Sequence, residues 1–206
     1  MQGCTAVAKI LKIEGVEFIS GFPRNPIFEA CAEEGLRPIL TRTERVGVGM
    51  ADGFTRASFG QRIGVCAMQT GPGIENAFSG VAQAYSDSVP ILVLPSAPDR
   101  RRFGPPSFIA AKNYGQITKW VDTIGFADRI PDMMRRAFIL LRTGRPGPVL
   151  LEMPGDVAAE QIPDAAFSYQ PARGAKSAGD AADVRAAVKT LIAAKNPVIR
   201  AGQGVL

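Results

Sequence analysis

Apolar residues in this chain follow two alternating patterns. One is helical: Val7, Ile10 and Leu11 share a face, and Gly15 closes the segment. The other is the short, nearly continuous apolar run. VEFISGFP (16–23), RPILT (37–41), RIGVCAM (62–68), VPILVLPS (89–96) and GPVLLEMPGDV (147–157) predict five buried strands. Helices are predicted between them. NPIFEACAEEG (25–35) has Pro26 near its start and Gly35 just past its end, the usual asymmetry. TRTERVGVGMADGFTRASFG (41–60), IENAFSGVAQAYSDS (74–88) and ADRIPDMMRRAFILLRTG (127–144) supply three more. Apolar strands separated by helices imply an α/β fold, a parallel sheet with helices on both faces. A loop rich in proline and arginine runs from 97 to about 113.

The pattern changes after residue 163. DAAFSYQPARGAKSAGD (164–180) is poor in large apolar residues and reads as an extended linker. AADVRAAVKTLIAAKN (181–196) then predicts an amphipathic helix, and PVIRAG (197–202) a strand. One helix and one strand cannot bury a core. The expected organisation is an α/β domain over 1–163, a linker over 164–180, and over 181–206 the start of a second α/β domain that is cut off.

Composition narrows the function. The net charge is +5, and Arg100-Arg101-Arg102 form the one basic run. No aromatic interleaving accompanies that run, so it reads as a solvated loop rather than a nucleic-acid site. Cys4, Cys31 and Cys66 match no metal spacing and sit in apolar stretches, as expected of buried thiols in a reducing cytoplasm. Lys9 and Lys12 interrupt the N-terminal apolar pattern, which excludes a signal peptide there, and no run approaches a membrane span. Histidine is absent, which excludes an imidazole base or ligand within this chain.

Chemistry concentrates in two places. Glu44 stands where a strand ends and a helix begins, and glycines 47, 49 and 53 follow it. Each interior helix glycine costs about 1 kcal/mol relative to alanine, so the helix is expected to pack closely on another backbone, across a subunit interface. The GPG turn (71–73) also follows a strand and opens a helix. In a parallel sheet both features fall on the edge where ligands gather. The bland alternatives are a glutamate serving the helix dipole and a simple tight turn. A dinucleotide fold would need G-x-G-x-x-G after the first strand, and SGFPRN (20–25) does not supply it.

Taken together, GVEFISGFP, TRTERVGVGMADGFTRASFG, QTGPGIENAFSGVAQAYSDSVPILVLPS, QITKW and RTGRPGPVLLEMPGDV resemble the N-terminal, pyrimidine-binding domain of thiamine diphosphate-dependent enzymes. The likeness is to the acetolactate synthase, pyruvate oxidase and benzoylformate decarboxylase type, and NPVIRAGQGV resembles the opening of that family's central domain. The resemblance implies that Glu44 hydrogen-bonds N1′ of the aminopyrimidine and shifts its tautomer. That shift activates C2 of the thiazolium toward a 2-keto acid. It also implies that Pro23, Pro72, Gly73 and Asn76 line the pyrimidine, and that the 45–59 helix forms a homo-oligomer contact. Two departures stand out. Arg24 replaces the glycine usual in acetolactate synthases, and Pro105 and Pro106 stand in place of a Phe-Gln pair. The family's Gly-Asp-Gly and Asn-Asn motif for diphosphate and Mg²⁺ does not occur here, so that half of the site is expected from another domain or chain. FAD binding stays open, because the family's flavin site lies mostly in the central domain. The alternative is a non-catalytic module that keeps the fold and the dimer surface.

Overall fold

The computed structural model describes residues 1–102, 108–171 and 173–205. Its strands are β1 (Phe18–Gly21), β2 (Arg37–Leu40), β3 (Gly64–Met68), β4 (Ile91–Ala97), β5 (Trp120–Thr123) and β6 (Val149–Pro154). They form one sheet in the order β2-β1-β3-β4-β6-β5, with every pairing parallel. Its helices are α1 (Gly3–Ile13), α2 (Ile27–Glu33), α3 (Glu44–Ala57), α4 (Pro72–Ser86), α5 (Ala110–Asn113), α6 (Ile130–Arg142), α7 (Gly155–Ala159) and α8 (Ala181–Ala193).

Successive strand residues point to opposite faces, and the cores divide accordingly. Val65, Ala67, Leu92, Leu94, Val149 and Leu151 join α1, α2 and α6 in one core. Cys66, Met68, Ile91, Val93 and Leu150 join α3 and α4 in the other. The sheet is therefore covered on both faces, as its apolar strands predict.

Three expectations change. The sheet has six strands rather than five. β5 was not predicted because WVDT mixes apolar and polar residues, and as an edge strand it is only half-buried at every position. The last predicted strand of this unit ends at Pro154, and the Gly-Asp-Val that follows turns into α7. PVIRAG forms no strand: Val198 is 90% exposed and Ile199 75%. A strand needs a neighbour to pair with, and PVIRAG has none among the described residues.

Two further segments differ from their plain reading. Arg100 lies in an exposed turn, as expected, but is held in place. It pairs with Asp156 at 2.7 Å and Glu160 at 3.1 Å and donates to the Gly125 carbonyl at 2.8 Å, tying the exit of β4 to α7. Residues 164–180 start docked rather than extended. Asp164–Ala166 makes a 3₁₀ turn, and Phe167 and Tyr169 pack against the α1–α6 core. The Tyr169 hydroxyl donates to the Glu14 carboxylate, which also pairs with Arg142.

Candidate cofactor site

The strand order reverses between β1 and β3, and parallel strands send all their exits to one edge. A crevice at such a reversal is where ligands bind in this architecture. Glu44 is the first residue of α3, just beyond β2. Thr43 caps the helix, its Oγ1 accepting from the Val46 amide at 3.3 Å. α3 then crosses back over β1 toward β3. It can sit that deep because Gly47 has no side chain: a Cβ there would lie 2.7 Å from Cα of Gly21. Ser20 holds the crossing by donating to the Gly47 carbonyl at 2.7 Å.

This depth brings Glu44 to the start of α4. The residue is only 5% exposed. Asn76 donates to Glu44 Oε2 at 3.3 Å. Oε1 lies against Gly73, whose missing side chain permits the close approach: a Cβ there would come within 3.3 Å of Oε1 and 2.6 Å of Gln69 Cγ. Gly71, with φ 67°, makes the sharp turn into α4. Glu44, Gly73 and Asn76 thus form one cluster. Pro72 opens α4 and Pro23 follows β1 on the same edge. Both are exposed and take no part in these Glu44 contacts. Pro105 and Pro106 lie outside the described residues.

Sequence reasoning overlooked Asn25, which is 6% exposed. Its Nδ2 donates to the carbonyls of Met68 at 3.0 Å and Leu94 at 2.9 Å, and its Oδ1 accepts from the Ile27 amide at 3.1 Å. One side chain thereby fastens the β1 exit to the end of β3 and the middle of β4. The signal was an Asn directly before a proline at a helix start, a position that favours side-chain to backbone bonds. Asn25→Ala leaves two buried carbonyls without that partner. It is expected to destabilise the domain by about 3 kcal/mol, read as a lower midpoint in urea unfolding. Tyr114 is a second overlooked residue: fully buried, it donates to the Ile74 carbonyl in the first turn of α4.

The three cysteines are free and buried, and burial pushes the Cys31 and Cys66 thiols up to about 12. They are therefore inert as nucleophiles near neutral pH. No helix among the described residues is long and apolar enough to cross a membrane.

A parallel sheet with a buried carboxylate at its reversal point, packed against a glycine in the next helix, is an α/β domain built to take a ligand at its strand exits. The particular class follows from comparison. Residues 1–123 match the family model described as the thiamine pyrophosphate enzyme, N-terminal TPP binding domain. The chain belongs to this family. Over its full length it is 36% identical to a probable acetolactate synthase large subunit of Methanocaldococcus jannaschii and 34% identical to a glyoxylate carboligase of Escherichia coli. Over 99% of its length it is 34% identical to the acetolactate synthase large subunit of Lactococcus lactis. The chain spans 36–37% of the length of these relatives.

The residues fit the family's cofactor. Glu44 is a buried acid at the strand exits, able to meet a ring nitrogen, and Gly73 brings no side chain against it.

Proposed function

We propose that this chain is the pyrimidine-binding part of an enzyme that uses thiamine diphosphate to decarboxylate or join 2-keto acids, acetolactate synthase-like in kind. The observation that carries this reading is Glu44: buried at the strand exits, held on one oxygen by Asn76, with its other oxygen against Gly73, which brings no side chain to it. Thiamine diphosphate, when bound, supplies the nucleophilic carbon and electron sink that 2-keto acid chemistry needs. Glu44 shares a proton with a ring nitrogen of the pyrimidine and thereby tunes the cofactor. Asn76 fixes the carboxylate plane. Gly73 keeps the carboxylate clear of a side chain, and Pro23 and Pro72 border the ring.

In this proposal the domain covers 1–163, a linker 164–180, and 181–206 begin a central domain. Mg²⁺ and the diphosphate are held by a separate domain or chain, and any FAD by the central domain. Two copies meet through α3, where Val46, Gly49, Gly53 and Ala57 lie exposed along one side of the helix. Buried, unpaired thiols fit a reducing compartment, the cytoplasm.

Because the diphosphate carries most of the cofactor's charge, this chain alone is expected to bind it poorly. Calorimetric titration with thiamine diphosphate and Mg²⁺ should give no saturable heat at micromolar concentrations. A dissociation constant of about 1 μM, about −8 kcal/mol, would place the diphosphate site within this chain and overturn the proposed division of the site.

A further inference from the structure

Among the described residues three non-glycine residues have left-handed backbones: Arg24 with φ 79°, Phe59 with φ 53° and Ser88 with φ 59°. Phe59 and Ser88 lie just past the ends of α3 and α4, where such a residue commonly terminates a helix. Arg24 terminates no helix. It lies in the turn from β1 to α2, on the edge that carries Glu44. The conformation is unfavourable for any residue with a Cβ and free for glycine. The turn cannot relax, because the next residue, Asn25, is locked to Met68 and Leu94. Strain held in place this way at a site edge points to a use for the side chain.

The surroundings say what that use is. Arg24, Arg42 and Arg45 are all exposed, the last two flanking Glu44. Among the described residues no carboxylate pairs with any of the three. Glu75, in the first turn of α4, is an exposed acid on the same edge. Arginine binds carboxylates through a planar pair of donors. The carboxylate that leaves as CO₂ is a poor target, since holding its charge stabilises the ground state more than the transition state. A second anionic group, distant from the reacting carbon, carries no such penalty.

We propose that Arg24 determines substrate class, binding a second carboxylate on the 2-keto acid, so that the site prefers dianionic over monoanionic substrates. This rests on the reading of the Glu44 cluster as the cofactor site. The test compares kcat/KM for 2-oxoglutarate and pyruvate in the full-length holoenzyme, with Arg24→Gly and Arg24→Lys. Wild type is expected to favour 2-oxoglutarate. Arg24→Gly should lower kcat/KM for 2-oxoglutarate by about 10- to 100-fold, the worth of a hydrogen bond to a charged group. Pyruvate should change less than about threefold, and the melting temperature should not fall. Arg24→Lys should retain part of the preference. An unchanged substrate ratio in Arg24→Gly overturns the proposal. So does an unchanged ratio with a raised cofactor requirement, which would assign the arginine to the diphosphate. If that occurs while Glu44→Gln still abolishes turnover, the cofactor reading stands and only this inference fails. Absence of turnover on 2-oxoglutarate by cofactor-loaded wild type overturns this inference, and the cofactor reading falls with it only if Glu44→Gln leaves C2-proton exchange of the bound cofactor unchanged.

Discussion

Glu44→Gln is expected to lower turnover of the full-length enzyme by about 10²- to 10⁴-fold, the usual worth of a positioned proton-transfer group. Glutamine has the same shape. Its oxygen can still accept from Asn76, and its amide can donate to a ring nitrogen. What it cannot do is share a proton. The fold should therefore survive, with a melting temperature within a few degrees of wild type. Kinetics at saturating cofactor, alongside a thermal melt, separate the two effects. Turnover within threefold of wild type would remove Glu44 from the chemistry and leave it a helix-dipole partner.

Gly47→Ala is expected to destabilise the domain severely, by about 3 kcal/mol or more, while Gly49→Ala is not. The contrast comes from what a Cβ meets. At Gly47 it would lie 2.7 Å from Cα and 3.2 Å from N of Gly21, both backbone atoms that cannot swing aside. At Gly49 and Gly53 nothing lies within 4 Å. The close-packing expectation for this helix therefore splits. Gly47 serves packing inside the chain, against β1. Gly49 and Gly53 have no such reason within one copy, and each forgoes about 1 kcal/mol of helix propensity. A second backbone across a two-fold axis would account for them. In an isolated monomer Gly49→Ala should be neutral or stabilising by denaturant unfolding. Gly49→Leu should leave a folded chain that sediments as a monomer where wild type self-associates. A wild-type chain that is monomeric at micromolar concentration would count against the α3 interface. A misfolded Gly49→Leu would mean that the helix is packed on that side within the chain.

Much of this was legible in the apolar pattern. The strands that became β1, β3, β4 and β6 are apolar because helices cover both faces, and that burial is what the sequence records; β2, expected to be buried, is an edge strand exposed at Arg37 and Leu40, legible only from its short apolar run. β5 was not legible, because an edge strand is half-exposed and Asp122 and Thr123 interrupt its run. PVIRAG failed in the opposite sense: its residues favour a strand, but pairing depends on a neighbour elsewhere, which local sequence does not encode. The same division holds at the site. Glu44, Gly73 and Asn76 sit in motifs next to strand exits, and the fold brings them together. Pro23 and Pro72 share that edge without joining the Glu44 contacts. Asn25 and Tyr114 act through backbone carbonyls distant in sequence, at Met68, Leu94 and Ile74. The partners themselves leave no local mark, though Asn25 standing before Pro26 at a helix start signals a side chain that bonds backbone. The strain at Arg24 could not be read either, since φ follows from how Asn25 anchors the turn.

In the proposed function Glu44 tunes a bound thiamine diphosphate by proton sharing. The most direct measurement is the rate at which the C2 proton of the bound cofactor exchanges with deuterium, followed by NMR after acid quench, in the full-length wild type and in Glu44→Gln. The account predicts exchange slower by about 100-fold or more in Glu44→Gln, at comparable cofactor occupancy. Equal exchange rates in the two proteins would contradict it.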